Sequence, residues 1–234
     1  MPMNVQQLLA RPPKLHGPEN ALFDHYRLED ELFHFLDHNI REGMKTLEIG
    51  AGSSTIIFAL KKAKHVCIVP DQQQIERIKH YCSDTNISLD DVEFIADTSQ
   101  SALPTIEAKD FDCILIDGNH GFPSVFVDWY YSAGITKVGG IIIIDDLHIW
   151  TCSTLVDILR SEPEWQLVKE TSRAAIFKKI AHGSEQKEWV YQQYVTSRSR
   201  RRALLPKFYY MLQLIRRGDF KLLFHNVLLR VRRS

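Results

Sequence analysis

Short apolar runs alternate, through the middle of the sequence, with stretches whose apolar residues recur about every 3.6 positions. After a first run that begins at Lys45, these runs predict strands at residues 65–69, 92–95, 111–116 and 141–144. The stretches between them predict helices near residues 72–82, 100–106 and 124–135. Because strands and helices alternate, the pattern predicts parallel strands with helices on both faces of a sheet.

The two ends of the sequence depart from this alternation. Residues 165–169 and 174–178 are strand-like runs close together, which predicts a final antiparallel pair. Prolines argue against a continuous helix over the first twenty residues, and apolar positions from Leu22 to Leu36 then predict one or two amphipathic helices. We therefore expect an α/β fold whose doubly wound, mostly parallel sheet has seven strands. The predicted divisions are an N-terminal helical cap at residues 1–44, the sheet domain at 45–181 and a helical tail at 182–234.

The tail combines arginines with apolar residues. Four arginines lie between Ser197 and Arg202, and Pro206 is predicted in the first turn of a helix. The first apolar stripe consists of Phe208, Met211, Leu212 and Ile215. Gly218 and Asp219 predict a stop followed by an N-cap, and a second stripe runs from Phe220 to Val231.

Several partners fit such a tail. Apolar stripes flanked by arginine suit an anionic membrane surface. They suit equally a helical pair packed on the rest of the chain or on another subunit of a homo-oligomer. Nucleic acid is not expected, because no aromatic-interleaved surface or nucleic-acid motif is present.

Composition and charge sharpen this division. At 234 residues with 44% hydrophobic residues, the chain suits one α/β domain with additions at its ends. The formal net charge is zero, but residues 185–234 carry twelve basic and three acidic residues, a net charge of +9, which leaves −9 for the rest. The start lacks a signal-peptide pattern, and the four cysteines lack Cys-x-x-Cys spacing. We expect a cytoplasmic protein whose tail could place it at the inner face of the membrane.

The candidate chemistry begins at residues 45–55, which read Lys-Thr-Leu-Glu-Ile-Gly-Ala-Gly-Ser-Ser-Thr. This pattern predicts a strand, a tight glycine turn and the start of a helix. Glycine permits a positive φ or a close approach to a ligand. A dinucleotide-binding fingerprint would need a third glycine at position 55, where the chain has Thr55. An ordinary strand-to-helix turn remains the alternative interpretation.

Glu48 followed by Gly50 and Gly52 resembles motif I of the class I S-adenosylmethionine-dependent methyltransferases, a Rossmann-like family. The resemblance covers residues 45–179. It implies that S-adenosylmethionine binds at the turn, where Gly50, Gly52 and Ser53 would form the cofactor site. It also implies that Glu48 organises the amino-acid end of the cofactor.

The same resemblance assigns two aspartates to the cofactor. Asp71 would lie near the ribose hydroxyls and Asp97 near the adenine amino group. The family usually has its ribose-binding acid directly before Pro-Asp, whereas this chain has Val69 there. Each aspartate fits a helix N-cap equally well.

Acids also follow the fourth and fifth strands. Asp117-Gly-Asn-His120 and the pair Asp145-Asp146 resemble the macrocin-type sugar O-methyltransferases. That resemblance implies a Mg²⁺ site at Asp117, Asp145 and Asp146, with His120 as catalytic base beside Asp117. Carboxylate oxygens suit Mg²⁺, and histidine titrates near neutral pH. In the alternative interpretation Asp117 contacts the cofactor without a metal and His120 is a loop residue.

Two further residues near the acidic pair carry expectations. His148 is an alternative base, and Trp150 is predicted to be a packing residue. Together these features predict an S-adenosylmethionine-dependent O-methyltransferase that acts on a hydroxyl of a sugar, glycan or other small polar acceptor. The alternatives are an NAD-dependent oxidoreductase and a non-enzymatic binding module, for which Val69 is the hint.

Overall fold

A computed structural model of the chain describes residues 4–17, 28–183, 187–218 and 222. The chain divides into two compact units, residues 1–185 and 186–234. Residues 18–27 of the predicted cap lie outside the described residues, and so do Asp219 and the second apolar stripe of the tail.

The first unit contains a seven-stranded sheet. Its strands are β1 Lys45–Ile49, β2 Lys64–Ile68, β3 Val92–Ile95, β4 Phe111–Ile116, β5 Thr136–Ile144, β6 Trp165–Glu170 and β7 Ala175–Lys179. Their order in the sheet is β3-β2-β1-β4-β5-β7-β6. The first five strands are parallel, and β7 runs antiparallel to both of its neighbours. The predicted fold class is confirmed.

Helices connect the strands and begin the chain. They are α1 Val5–Ala10, α2 Asp30–Asn39, α3 Ser53–Leu60, α4 Gln72–Asp84, α5 Ser99–Ala102, α6 Ser124–Ile135 and α7 Trp150–Ser161. Helix α1 is short and lies in the proline-free stretch between Pro2 and Pro12, and Asn4 closes a capping box with Gln7 at its start.

Strand β4 shows why the central strands read as unbroken apolar runs. Cys113 and Leu115 pack in one cluster with α2 and α3, and Ile114 packs in another with α6 and α7. Neighbouring side chains of a strand point to opposite faces of the sheet. Because helices cover both faces, each of these side chains is buried.

The second unit contains helix α8, Gln193–Arg216, preceded by a short 3₁₀ turn. Pro206 lies inside this helix rather than in its first turn, so that prediction is wrong. Helix α8 begins thirteen residues before Pro206 because that stretch contains neither glycine nor another proline. Phe208, Leu212 and Ile215 of the predicted stripe are exposed. None of the helices in the described residues is long and apolar enough to cross a bilayer.

Candidate active site

A cavity of about 1000 Å³ opens at the carboxyl ends of the parallel strands. Ligands of doubly wound sheets bind at this edge. The predicted residues that line the cavity are Gly50, Asp71, Asp117, His120, Asp146 and His148. Small-molecule sites span about 300–1,000 Å³, so the cavity has room for a cofactor and a second small molecule.

Gly50 holds the turn after β1 against the loop after β4. Its φ is +102°, a conformation that favours glycine. A Cβ atom at this position would overlap the backbone carbonyl oxygen of Asp117. Gly52 has an extended φ of 174°, and a Cβ there would lie 3.3 Å from Nε2 of His16. At Gly50 a side chain is excluded by the backbone of Asp117. At Gly52 a side chain would press on the side chain of His16.

Glu48 lies beneath the turn and is fully buried. Its carboxylate accepts a hydrogen bond from Ser54 Oγ and one of 2.6 Å from Thr55 Oγ1. Nε2 of His65 lies 3.4 Å from the same carboxylate. Glu48 thus holds the start of α3 from below and does not line the cavity. Its contact with the cofactor stays a prediction, as does that of Ser53, which is also buried outside the lining.

Asp71 is both a helix N-cap and a residue of the cavity wall, while its contact with the ribose stays a prediction. It is the N-cap of α4, where its Oδ1 accepts a 2.9 Å hydrogen bond from the Gln73 backbone, and it also lines the cavity. Asp97 is exposed and does neither: Thr98 is the N-cap of α5. Thr98, Ser99 and Gln100 line the cavity instead of Asp97.

The loops after β4 and β5 bring three predicted residues together. Ligand atoms of Asp117, His120 and Asp146 all lie within 4.8 Å of one another. Nε2 of His120 is 3.2 Å from Asp146 Oδ2 and 3.6 Å from Asp117 Oδ1. Asp146 has a φ of +58°, which is uncommon for a residue with a side chain. Such strained backbone is typical of functional sites.

Two residues that the sequence did not indicate complete the cavity wall. Arg173, between β6 and β7, donates a hydrogen bond to Asp146 Oδ1. His16 lies beside the glycine turn, with Nδ1 at 3.1 Å from Gln74 Nε2. Neither belongs to a motif, because long-range packing brings both to the site.

The surroundings shift the proton affinities of the cluster. Burial alone would lower the pKa of His120, but its hydrogen bonds to Asp117 and Asp146 outweigh this and raise the pKa to about 12. The hydrogen bond from His120 and the guanidinium of Arg173 hold the pKa of Asp146 well below its usual range. Burial raises the pKa of Asp117 to about 7 and that of Asp145 to about 6. At neutral pH the cluster therefore contains an imidazolium beside an ionised Asp146.

The three-aspartate Mg²⁺ site stays a prediction to which this arrangement adds a difficulty. Asp145 is 1% exposed and is not part of the cavity lining. Asp117 and Asp146 do face the cavity, but His120 and Arg173 occupy both oxygens of Asp146. Mg²⁺ prefers oxygen ligands in octahedral geometry. Two carboxylates that already carry two cationic partners do not fit that ion.

The other predictions near the cluster have mixed outcomes. His148 lines the cavity, with Nδ1 at 3.7 Å from Asp146 Oδ1, and its side chain is 63% exposed. Trp150 is 72% exposed, so its prediction as a packing residue is wrong. It begins α7, and the buried face of that helix is formed by Cys152, Leu155, Val156 and Leu159 instead.

Comparisons with known proteins agree with this geometry. Residues 47–147 match the family model of a methyltransferase domain. The fold resembles that of a cofactor-bound protein, Rv0187, from MTB, with a TM-score of 0.59 at 16% identity over 68% of this chain and 84% of that one. A comparison with curated proteins gave no match.

Two further solved structures share the fold. The methyltransferase PaMTH1 of Podospora anserina, bound to S-adenosylhomocysteine, has a TM-score of 0.55 at 16% identity over 67% of this chain and 81% of that one. The O-methyltransferase TomG of Streptomyces achromogenes, in complex with S-adenosylmethionine, has a TM-score of 0.55 at 14% identity over 67% and 82%. Residues 47–147 therefore form a methyltransferase domain, on a fold shared with proteins that were solved bound to S-adenosylmethionine or S-adenosylhomocysteine.

Proposed function

We propose that this protein transfers the methyl group of S-adenosylmethionine to a hydroxyl oxygen of a small polar acceptor, such as a sugar or glycan. The observation that supports it most is the shared cavity. The glycine turn at Gly50 and the cluster of Asp117, His120 and Asp146 line the same space. A cofactor at the turn and an acceptor hydroxyl beside His120 would then meet within it.

The cofactor side of the cavity fits a nucleoside with an amino-acid end. The glycine turn leaves backbone close to the ligand, and Asp71 offers a carboxylate for ribose hydroxyls at the end of β2. His16 and Gln74 close the space above the turn. Burial and the nearby charge of Arg77 lower the pKa of His16, so its ring is neutral at pH 7 and can accept a hydrogen bond.

On the acceptor side, the residues of the cluster receive the proton and orient the oxygen. S-adenosylmethionine supplies a methyl group on a sulfonium, a good leaving group as the neutral thioether. The acceptor hydroxyl must lose its proton as its oxygen forms the new bond to carbon. Asp117, with a pKa of about 7, is partly ionised at neutral pH and can take that proton, whereas His120, with a pKa of about 12, can take it only once its imidazolium has deprotonated. We therefore expect activity to rise from pH 7 towards alkaline pH.

Binding of S-adenosylhomocysteine and NAD, measured side by side by calorimetry, tests the cofactor assignment. We expect S-adenosylhomocysteine alone to bind and Gly52→Val to weaken it at least about tenfold, because the new side chain would press on His16. Gly134→Ala is the control, since a Cβ at that helical position meets nothing within 4 Å. Binding of NAD alone would support an oxidoreductase, and binding of neither would support a non-enzymatic module.

The acceptor class requires a turnover assay. Release of S-adenosylhomocysteine is measured with sugars, glycan fragments and small phenols under identical conditions. Turnover with hydroxylated sugars supports the proposal. Turnover confined to phenols, or to acceptors that present nitrogen, would contradict the sugar assignment while leaving the methyltransferase assignment intact.

We further propose that the tail contacts anionic lipid. Helix α8 begins with exposed arginines at 198 and 200–202 and continues with exposed apolar residues, among them Leu204, Leu205 and Phe208. Each arginine near an anionic surface contributes about 1 kcal/mol, and buried apolar area adds to this. Homo-oligomerisation and a cytoplasmic location at the inner face of the membrane stay predictions.

Vesicle co-sedimentation tests this tail proposal. The intact chain should pellet with vesicles that contain anionic lipid and not with neutral vesicles. Replacing Arg200, Arg201 and Arg202 by glutamate should release it, whereas the same change at the exposed residues Lys62 and Lys64 should not. If the intact chain stays in the supernatant with anionic vesicles, the lipid proposal is wrong.

A further inference from the structure

We infer that Arg173, and not a divalent metal ion, supplies the positive charge at the acceptor end of the cavity. The inference rests on the proposed methyl transfer and deepens it: the acceptor oxygen is held by a guanidinium and not by a metal. Four observations of the described residues support it.

The first observation is that both oxygens of Asp146 have nitrogen partners. Arg173 Nη2 donates to Oδ1, and Nε2 of His120 lies 3.2 Å from Oδ2. A metal ion bound by Asp146 would have to displace one of these partners. Guanidinium and carboxylate form strong, charge-assisted hydrogen bonds, so the displacement opposes metal binding.

The second observation is the position of Asp145. A three-carboxylate site needs this side chain beside Asp117 and Asp146, yet it lies outside the cavity lining and is buried to 1% exposure. Its Oδ1 has no hydrogen-bond partner among the described residues.

The third observation is the charge of the cavity wall. Asp117 and Asp146 contribute carboxylates, and Arg173 contributes a guanidinium that donates to Asp146. This guanidinium offsets part of the negative charge that would attract a divalent ion. Mg²⁺ also loses its water shell reluctantly, so a wall of reduced negative charge offers it little.

The fourth observation is that Arg173 is held in place with a donor to spare. Its backbone oxygen accepts a 2.8 Å hydrogen bond from the Leu147 backbone N–H, next to Asp146. Its side chain is 34% exposed and lines the cavity. A guanidinium has five N–H donors, and Asp146 takes only part of them. Arg173 thereby has the position and the further hydrogens that holding an acceptor oxygen requires.

Titration of the full chain with Mn²⁺, followed by calorimetry and by the electron paramagnetic resonance signal of free Mn²⁺, tests this inference. We expect no Mn²⁺ binding by the wild-type chain at about 1 mM. A dissociation constant of about 1 mM is the weakest that we count as a specific site. Arg173→Ala should expose Asp117, His120 and Asp146 and bind one Mn²⁺ at least about tenfold more tightly than wild type. The double change Arg173→Ala with Asp146→Asn should abolish the gained binding.

Three comparisons keep the outcome clear. Arg160→Ala removes an exposed arginine that pairs with Glu170, and it should leave Mn²⁺ affinity unchanged. Arg173→Gln removes the charge but keeps a long polar side chain, and it replaces Arg173→Ala if that variant does not fold. S-adenosylhomocysteine affinity is measured on the same samples. It distinguishes a failure of the methyltransferase proposal from a failure of the inference about Arg173.

The result that would overturn the inference is equally defined. Stoichiometric Mn²⁺ binding by the wild-type chain, abolished by Asp146→Asn, would show that Arg173 gives way to a metal. Equal Mn²⁺ affinity in wild type and in both Arg173 variants would show that Arg173 does not exclude the ion. Either result is compatible with intact S-adenosylhomocysteine binding, so the methyltransferase proposal would stand.

Discussion

The acids at the end of β1 and those at the ends of β4 and β5 lie in neighbouring parts of the sheet and have very different surroundings. At the end of β1, Glu48 is fully buried and receives hydroxyl hydrogen bonds from Ser54 and Thr55. At the ends of β4 and β5, Asp117 and Asp146 face the cavity and share His120. The first end consists of neutral donors around one acid, and the second of opposed charges.

The difference separates a residue that holds the backbone from residues that can do chemistry. Glu48 fixes the start of α3 beneath the glycine turn, so its effect on a ligand passes through the backbone. The cluster after β4 and β5 has shifted pKa values and a strained residue, Asp146, beside open space. Perturbed groups of this kind concentrate at functional sites. Five variants test the distinction.

Gly50→Ala should have the largest effect. The new Cβ would overlap the Asp117 carbonyl and would also be strained at a φ of +102°. We expect a loss of about 3–5 kcal/mol in the free energy of unfolding, from overpacking together with strain. Gly43→Ala is the matched control, because its φ is +79° and nothing lies within 4 Å of its Cβ. It should cost about 1 kcal/mol, and similar urea midpoints for the two variants would contradict the close approach.

His120→Ala should leave the fold and S-adenosylhomocysteine affinity nearly unchanged while it lowers the rate of methyl transfer by about 10²–10⁴-fold. The physical reason is the loss of the proton acceptor next to the acceptor oxygen. His148→Ala, at an exposed position near the same cluster, should change the rate only a few-fold. If His148→Ala shows the larger loss, the base is His148.

Glu48→Ala should destabilise the protein and weaken cofactor binding in parallel. It leaves the buried hydroxyls of Ser54 and Thr55 without their acceptor, at a cost of about 1–3 kcal/mol each. Glu93→Ala, at an exposed position of β3, is the control and should have little effect. A variant of normal stability that has lost all cofactor affinity would show that Glu48 touches the cofactor directly, as the motif resemblance implies.

The smallest expected effect concerns Asp145, and its sign depends on pH. Burial raises its folded pKa to about 6 from 3.8, so the folded state holds the proton more tightly than the unfolded state. Stability is therefore lost as pH rises from about 4 through 6. Asp145→Asn should raise the free energy of unfolding by about 1–3 kcal/mol at pH 7.5 and should not raise it at pH 4.

Asp146→Asn provides the opposite case. Its folded pKa is lowered by His120 and Arg173, so its contribution to stability is present above the unfolded pKa and is lost in acid. This variant should lose stability at pH 7.5. Thermal unfolding of both variants at pH 4 and pH 7.5 gives the comparison, and changes of equal sign at pH 7.5 would contradict the different environments of the two acids.

The sequence by itself determined the sheet and the approximate place of the site. Strands β3 and β4 and helix α6 have the predicted bounds, because short apolar runs and a 3.6-residue period are local properties of the chain. The acids after successive strands were expected at one edge because parallel strands end there. Helix α7 was missed although its signal is present: Cys152, Leu155, Val156 and Leu159 recur at helical spacing.

Only the tertiary structure decided which side chains form the cavity wall. His16 and Arg173 reach it from the N-terminal segment and the β6–β7 turn, and no local pattern marks either of them. Asp145 and Asp146 are adjacent and chemically identical, yet one is buried and the other faces the cavity. Periodicity specifies a residue's element and face. The direction of a loop side chain and the charges that surround it depend on contacts between residues far apart in the sequence.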